Sequence, residues 1–203
     1  MMNRIRCSIP WVTLAIAGVA HGLALLPSQW VADPLALFCF DQQAIMQQGQ
    51  WWRLLSGHLV HNDSTHLQWD LLGFLIFGGW LELKDRRLLV LSLALALLIL
   101  DLVLLSPWGL ARYCGLSGLL YAPAALLLWQ HYRRQPHLIS ALPLVAGATK
   151  LISESLQQQA WLADQGWPLY APAHWCGVAA ALIAWLLTRR RHSSPLGQST
   201  LYR

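Results

Sequence analysis

The chain has 203 residues, of which 56% are hydrophobic and only 11% charged, with 12 Trp. That is too apolar and too poor in charge for a soluble domain. The net charge of +5 does not describe a nucleic-acid patch, because the basic residues fall in short clusters between apolar runs, as in membrane topology. No linker and no internal repeat is visible, so residues 1–203 read as one all-α, polytopic membrane domain.

Residues 1–8, with Arg4 and Arg6, form a short cytoplasmic N-terminus ahead of an apolar stretch over 9–26. No small-x-small cleavage site leads from it into a soluble chain, so it reads as a retained first helix. Cys7 precedes the stretch, which speaks against a lipoprotein signal. Residues 28–65 form a long outer loop in which Trp30, Trp51 and Trp52 suit a membrane interface, with a short interfacial helix over 35–40. A second span, 65–83, ends at Lys84-Asp85-Arg86-Arg87, and a third, 88–105, stops at Ser106-Pro107. The fourth covers 116–129 and ends at His131-Tyr132-Arg133-Arg134; the fifth covers 138–152. After an outer loop, 154–171, the sixth starts near Pro172, a good first-turn residue, and ends at Arg189-Arg190-Arg191 before a cytoplasmic tail, 190–203. Eleven of the 14 Lys and Arg then fall on one side, with Arg53 and Arg112 on the other and Lys150 inside a span. By the positive-inside rule there are six spans and both termini are cytoplasmic.

The fourth span opens with Tyr113-Cys114-Gly115-Leu116-Ser117-Gly118. Hydrocarbon penalises an unpartnered hydroxyl, so a serine placed here needs a reason. Gly115 and Gly118 keep the space around it open, and a helix N-terminus points free N–H groups at whatever it attacks. The Gly-x-Ser-x-Gly elbow of soluble hydrolases is a different pattern. Taken alone, the stretch also suits plain helix packing through small residues. The fourth span has roughly 14 apolar-compatible residues, short of the ~20 that cross a bilayer, which leaves Ser117 below the outer surface. A cavity from outside must then reach it.

The second, fourth and sixth helices all run from outside to inside, and each carries polar residues in its first turns. These are His66 and Asp70, then Ser117 and Tyr121, then His174, the i,i+4 pairs sharing a helix face. Five such groups at one depth are functional candidates, and a serine with a histidine in reach is the minimal activated nucleophile. The histidine takes the Oγ proton during attack and returns it to the leaving amine.

On these residues the chain resembles the rhomboid intramembrane serine proteases. The matching pieces are Trp52-Arg53, His61-x4-His66-x3-Asp70, Gly115-Leu116-Ser117-Gly118 and Ala173-His174-Trp175-Cys176-Gly177, with Glu82 at the inner end of the second helix. The small size and the Gly-Leu-Ser-Gly form look most like the rhombosortase branch, which is associated with bacterial proteins carrying a C-terminal Gly-Gly motif, one transmembrane helix and a basic tail. The resemblance implies a multi-pass protease of the bacterial inner membrane with its active site open to the periplasmic side. It implies membrane-anchored protein substrates with a C-terminal transmembrane helix, and no cofactor. Ser117 becomes the nucleophile and His174 the base. His66 and the backbone N–H of Ser117 stabilise the oxyanion, Tyr121 stacks on His174, and Gly177 lets the sixth helix approach the fourth. Ala181 stands where the family usually has a second glycine.

Asp70 departs from the family, which usually has Asn there. An ionised carboxylate cannot donate to an oxyanion. Either burial keeps Asp70 protonated, or it stays ionised and holds His66 as a charged donor; the second is favoured because His66 is one turn away on the same face. A Ser-His-Asp triad through Asp70 ranks below both. On the substrate side, a helical peptide hides its carbonyls, whereas Gly-Gly breaks a helix and exposes the bond. A pocket walled by bulky side chains favours a small residue before the cut.

Other polar residues get plainer readings. His58 and His61 read as solvated or structural loop residues, and together with Asp63, His66 and Asp70 they match no standard zinc spacing, so no metal is assigned. His21 reads as a packing residue. Asp101 and Lys150 are either interfacial or paired, and Cys7, Cys39, Cys114 and Cys176 show no disulfide framework, a Cys114–Cys176 bridge being left open. Two rival functions remain: a conventional rhomboid protease with other substrates, and an inactive rhomboid-like protein that binds membrane helices. A transporter would need paired broken helices in matching halves, which the chain lacks.

Overall fold

The computed structural model describes residues 9–157 and 169–189. The expectations for the N-terminus, most of the loop 154–171 and the tail from 190 lie outside them. The elements are α1 (Trp11–Ala24), α2 (Pro34–Phe38), β1 (Phe40–Asp41), α3 (Gln42–Gln48), α4 (Arg53–Ser56), α5 (Ser64–Leu104), β2 (Arg112–Tyr113), α6 (Ser117–Arg134), α7 (Leu138–Gln157) and α8 (Ala171–Arg189).

α5 contains both the second and the third expected helices. Its backbone leaves helical geometry at Asp85 (φ −155°, ψ 90°), and Asp85 Oδ1 accepts the N–H of Leu88 to start the second half. Asp70 and Leu100 both lie against the segment 115–118. A straight helix would hold them about 45 Å apart, so the two halves fold back on each other as a hairpin. The basic cluster at residues 84–87 is therefore its tip.

α5, α6 and α8 pack together most extensively and hold the core, with Phe74, Leu81, Leu89, Leu100, Leu116, Leu126 and Ala180 buried between them. α1 packs on α5, and α7 packs on α6 and α8. α5 and α8 are long and apolar enough to cross a membrane. The outward faces of the bundle carry exposed Leu14, Leu98, Leu102, Leu142 and Leu187. So much outward apolar surface suits hydrocarbon and not water.

Glu82, buried, ties α1 to α5. Its carboxylate accepts the N–H groups of Val12 (3.0 Å) and Thr13 (2.8 Å) and the Thr13 hydroxyl (2.9 Å), while Arg86 Nε donates to it at 2.9 Å. The carboxylate thus satisfies orphan donors at the start of α1 and complements its dipole. His21, expected to pack, is exposed in the last turn of α1.

The segment expected to be a long outer loop is more ordered than its composition suggests. The expected helix over 35–40 is α2, and α3, α4 and a strand follow it. The buried Arg53 staples them, donating to Gln50 Oε1 (2.6 Å), the Cys39 carbonyl (2.7 Å) and the Ala36 carbonyl (2.9 Å). β1 pairs antiparallel with β2, Phe40 opposite Tyr113 and Asp41 opposite Arg112. The Gly115 N–H then donates to the Gly57 carbonyl at 3.1 Å. These ties fix the approach of the chain to Ser117.

Candidate active site

Ser117 is the first residue of α6, and α8 brings His174 against it, with Nε2 3.1 Å from Ser117 Oγ. Tyr121, one turn along α6, stacks on the His174 ring with centroids 4.2 Å apart and planes 16° from parallel. The imidazole is 4% exposed and cannot swing freely.

Glycines set this proximity. A Cβ on Gly177 would collide with the Gly118 carbonyl oxygen and stand 2.8 Å from Tyr121 Cβ. A Cβ on Gly118 would stand 2.6 Å from Leu100 Cδ2. Gly115 has φ +120° and faces His66, whose Cε1 would be 2.7 Å from an added Cβ. Only glycine meets both demands at Gly115, and the turn it makes delivers Leu116 and Ser117 into the site. Ala181 is buried in the same α8 face.

Asp63 caps α5 by accepting the His66 N–H at 2.8 Å, which puts His66 and Asp70 in its first two turns. Asp70 Oδ2 accepts the Leu116 N–H at 2.9 Å and lies 3.0 Å from His61 Nε2 and 3.3 Å from His66 Nε2. His66 Nδ1 donates to Asn62 Oδ1 at 2.7 Å. Asp70 therefore grips the backbone just before Ser117 and faces two histidines at once. The ligand atoms of His61, His66 and Asp70 lie within 4.8 Å of one another, which is the spacing of a cation site. The Leu116 N–H already points at two of them, at 2.9 Å to Asp70 and 3.2 Å to His61 Nε2.

His66, Ser117 and His174 share the lining of a cavity of about 30 Å³ with Asn62, Tyr113 and Tyr170. That is about the share of one water molecule, a space that a developing oxyanion could fill. A larger cavity of about 500 Å³ begins at Ser117, His174 and Asp70 and runs between α5 and α7. Its walls include Leu72, Gly73, Ile76 and Phe77 on one side and Leu144, Gly147, Ala148 and Leu151 on the other.

Ser117, His174, His66, Asp70, Tyr121, Gly115, Gly118 and Gly177 thus all converge. His61, a loop residue by sequence, has a side chain that is 1% exposed and bonded to Asp70. The signal was its place five residues before His66, at the start of the helix. His58 is fully buried, 3.0 Å from Asp101 Oδ1, so Asp101 is paired. Glu154, which the sequence places in the outer loop, is buried beside His174 and bonded to Lys150 and Tyr121. Its signal was an acid one turn beyond a lysine at the end of a span.

Cys39, Cys114 and Cys176 are free thiols, so no Cys114–Cys176 bridge forms. Burial pushes the Cys114 thiol up to about 12. It stays neutral in the turn that leads to Ser117.

The family model for the Rhomboid domain matches residues 48–191. A comparison with curated proteins finds no match. The matched stretch takes in Arg53, α5, the Gly115–Gly118 turn and α8, the parts that build the site just described. The chain belongs to the rhomboid family, whose members are intramembrane serine proteases acting on membrane proteins in the bilayer.

Proposed function

We propose that the chain is an active intramembrane endopeptidase of the bacterial inner membrane, with six spans, cytoplasmic termini and a site open to the periplasmic side. Ser117 attacks and His174 serves as base and then acid. The observation that carries this reading is the 3.1 Å contact between His174 Nε2 and Ser117 Oγ, held by Tyr121 stacking. The apolar cavity between α5 and α7 supports a membrane-helix substrate, because it offers hydrocarbon-like walls right up to the serine.

Attack moves the Ser117 proton to His174 Nε2 as the Oγ–C bond forms. The carbonyl oxygen becomes the oxyanion and turns toward His66 and the Ser117 N–H. His66 Nδ1 already donates to Asn62, so an Nε2–H makes it a cation. Asp70 supplies the counter-charge at 3.3 Å, and the N–H it accepts from Leu116 suits an ionised acceptor. Asp70 thus acts through His66, in place of the donor that Asn would give. Asp70→Ala is expected to lower kcat by no more than the ~10²–10³ that losing an oxyanion donor costs, with KM little changed. Full activity of Asp70→Ala in reporter cleavage would reduce the residue to a structural one.

The substrate class follows from the helix argument and the branch resemblance: a Gly-Gly site ahead of one C-terminal transmembrane helix and a basic tail. The test is co-expression with a secreted reporter of that design. Release from the membrane by wild type, and none by Ser117→Ala or His174→Ala, is the expected result. Retention of the Gly-Gly reporter alongside cleavage at a bulky-residue site would overturn the substrate assignment and favour a conventional rhomboid specificity.

A further inference from the structure

We propose that Glu154 is a positioning residue for His174, so that the dyad works as a Ser117–His174–Glu154 relay; this rests on the protease reading above. His174 Nε2 accepts from Ser117, so the proton of the neutral ring sits on Nδ1. That Nδ1 is buried and has no hydrogen-bond partner among the described residues. A buried donor left in this state is costly, and structures rarely tolerate it without a reason. Glu154 Oε2 lies 3.6 Å from it, on a carboxylate that is 1% exposed. A closure of about 0.6 Å turns the approach into an ordinary N–H···O bond.

The carboxylate is held ready for this. Lys150 Nζ donates to Glu154 Oε1 at 2.6 Å and to the Tyr121 hydroxyl at 2.9 Å. The Tyr121 hydroxyl donates to Glu154 Oε2 at 3.1 Å, while its ring lies under the imidazole. Glu154 therefore aims at Nδ1 with its oxygen fixed by the same tyrosine that fixes the ring. Groups from all packed elements face His174: Ser117 and Tyr121 from α6, Lys150 and Glu154 from α7, and His66 and Asp70 from α5. Asp70 is engaged with Leu116, His61 and His66, and the carboxylate oxygen beside the imidazole Nδ1 is that of Glu154, at 3.6 Å.

In the reaction, Nε2 takes the Ser117 proton as the Oγ–C bond forms, and the imidazolium donates its Nδ1–H to Glu154. Glu154 stays ionised throughout. When the C–N bond breaks, the Nε2 proton leaves on the amine and the ring is neutral again.

The experiment compares fluorophosphonate labelling of Ser117 and steady-state reporter cleavage in the full-length, membrane-embedded protein. The variants are Glu154→Gln, Glu154→Ala and the double Glu154→Ala, Lys150→Met, which avoids stranding the Lys150 charge if the single variant fails to fold. The relay predicts slowed labelling, by up to the ~10⁴-fold that disabling the orienting acid of a triad costs, a fall in kcat with KM unchanged, and partial recovery of the alanine variants by added formate but not chloride. Labelling of the folded variants at the wild-type rate overturns the relay and leaves the dyad standing. Slow labelling that formate does not restore overturns it too, because it assigns Glu154 to helix packing. If wild type labels no better than Ser117→Ala, the protease reading itself fails.

Discussion

Ser117→Ala is expected to remove all fluorophosphonate labelling, and His174→Ala to slow it by on the order of 10⁴. A serine hydroxyl is a weak nucleophile at its own pKa and gains its power from a base within hydrogen-bond reach. In the proposed mechanism that base is His174, whose Nε2 lies 3.1 Å from Ser117 Oγ. Because the two side chains act as one unit, the double variant should be no slower than the worse single one. Thermal unfolding separates this from collapse of the fold: both variants are expected to keep a cooperative transition near that of wild type, since the changed atoms are small next to the core of α5, α6 and α8. A His174→Ala protein that labels within about tenfold of wild type would be incompatible with His174 as the base, because proton transfer alone typically contributes 10²–10⁴.

The second large effect belongs to a residue with no chemistry. Gly177→Val is expected to cost about 1–3 kcal/mol of stability through overpacking and ~10² or more in activity through misplacement of the base. The added carbons have nowhere to go: the first would strike the Gly118 carbonyl oxygen, and Tyr121 Cβ stands 2.8 Å away. Backbone cannot yield as a side-chain tip does, so α8 must withdraw from α6. His174 is three residues before Gly177 on α8, and its contact with Ser117 lengthens with the helix. Gly18→Ala on α1 is the control, since a Cβ there meets nothing within 4 Å. It should be neutral or slightly stabilising, as alanine is the better helix former by up to about 1 kcal/mol. Equal activity of Gly177→Val and Gly18→Ala would show that the α6–α8 approach does not set the geometry.

The helices were legible because two signals agreed. Apolar runs marked their bodies, and clusters such as residues 84–87 and Arg133-Arg134 marked their ends. The convergence of His66, Asp70, Ser117, Tyr121 and His174 was legible too, because parallel helices of known direction place their first turns at one depth. The order of residues 28–65 was hidden, since it depends on Arg53 reaching carbonyls 14 and 17 residues away. No local pattern encodes such a reach. Glu154 was hidden for another reason. The apolar window closes at Ile152, where Ser153, Glu154 and Ser155 begin, but α7 continues to Gln157. Its last turns are held by Lys150–Glu154–Tyr121 bonding and by Trp175 Nε1 donating to Ser155 Oγ at 2.9 Å. Hydropathy does not register a helix sustained by polar contacts.

The grip of Glu82 on α1 has a consequence for biosynthesis. The acceptor for the Val12 N–H lies 70 residues further along the chain. α1 leaves the ribosome long before that carboxylate exists, so its docking cannot finish until residue 82 has been made and delivered to the same level. α1 is therefore made well before it can be locked in place, and a newly made chain must carry it loosely until the α5 hairpin arrives to collect it.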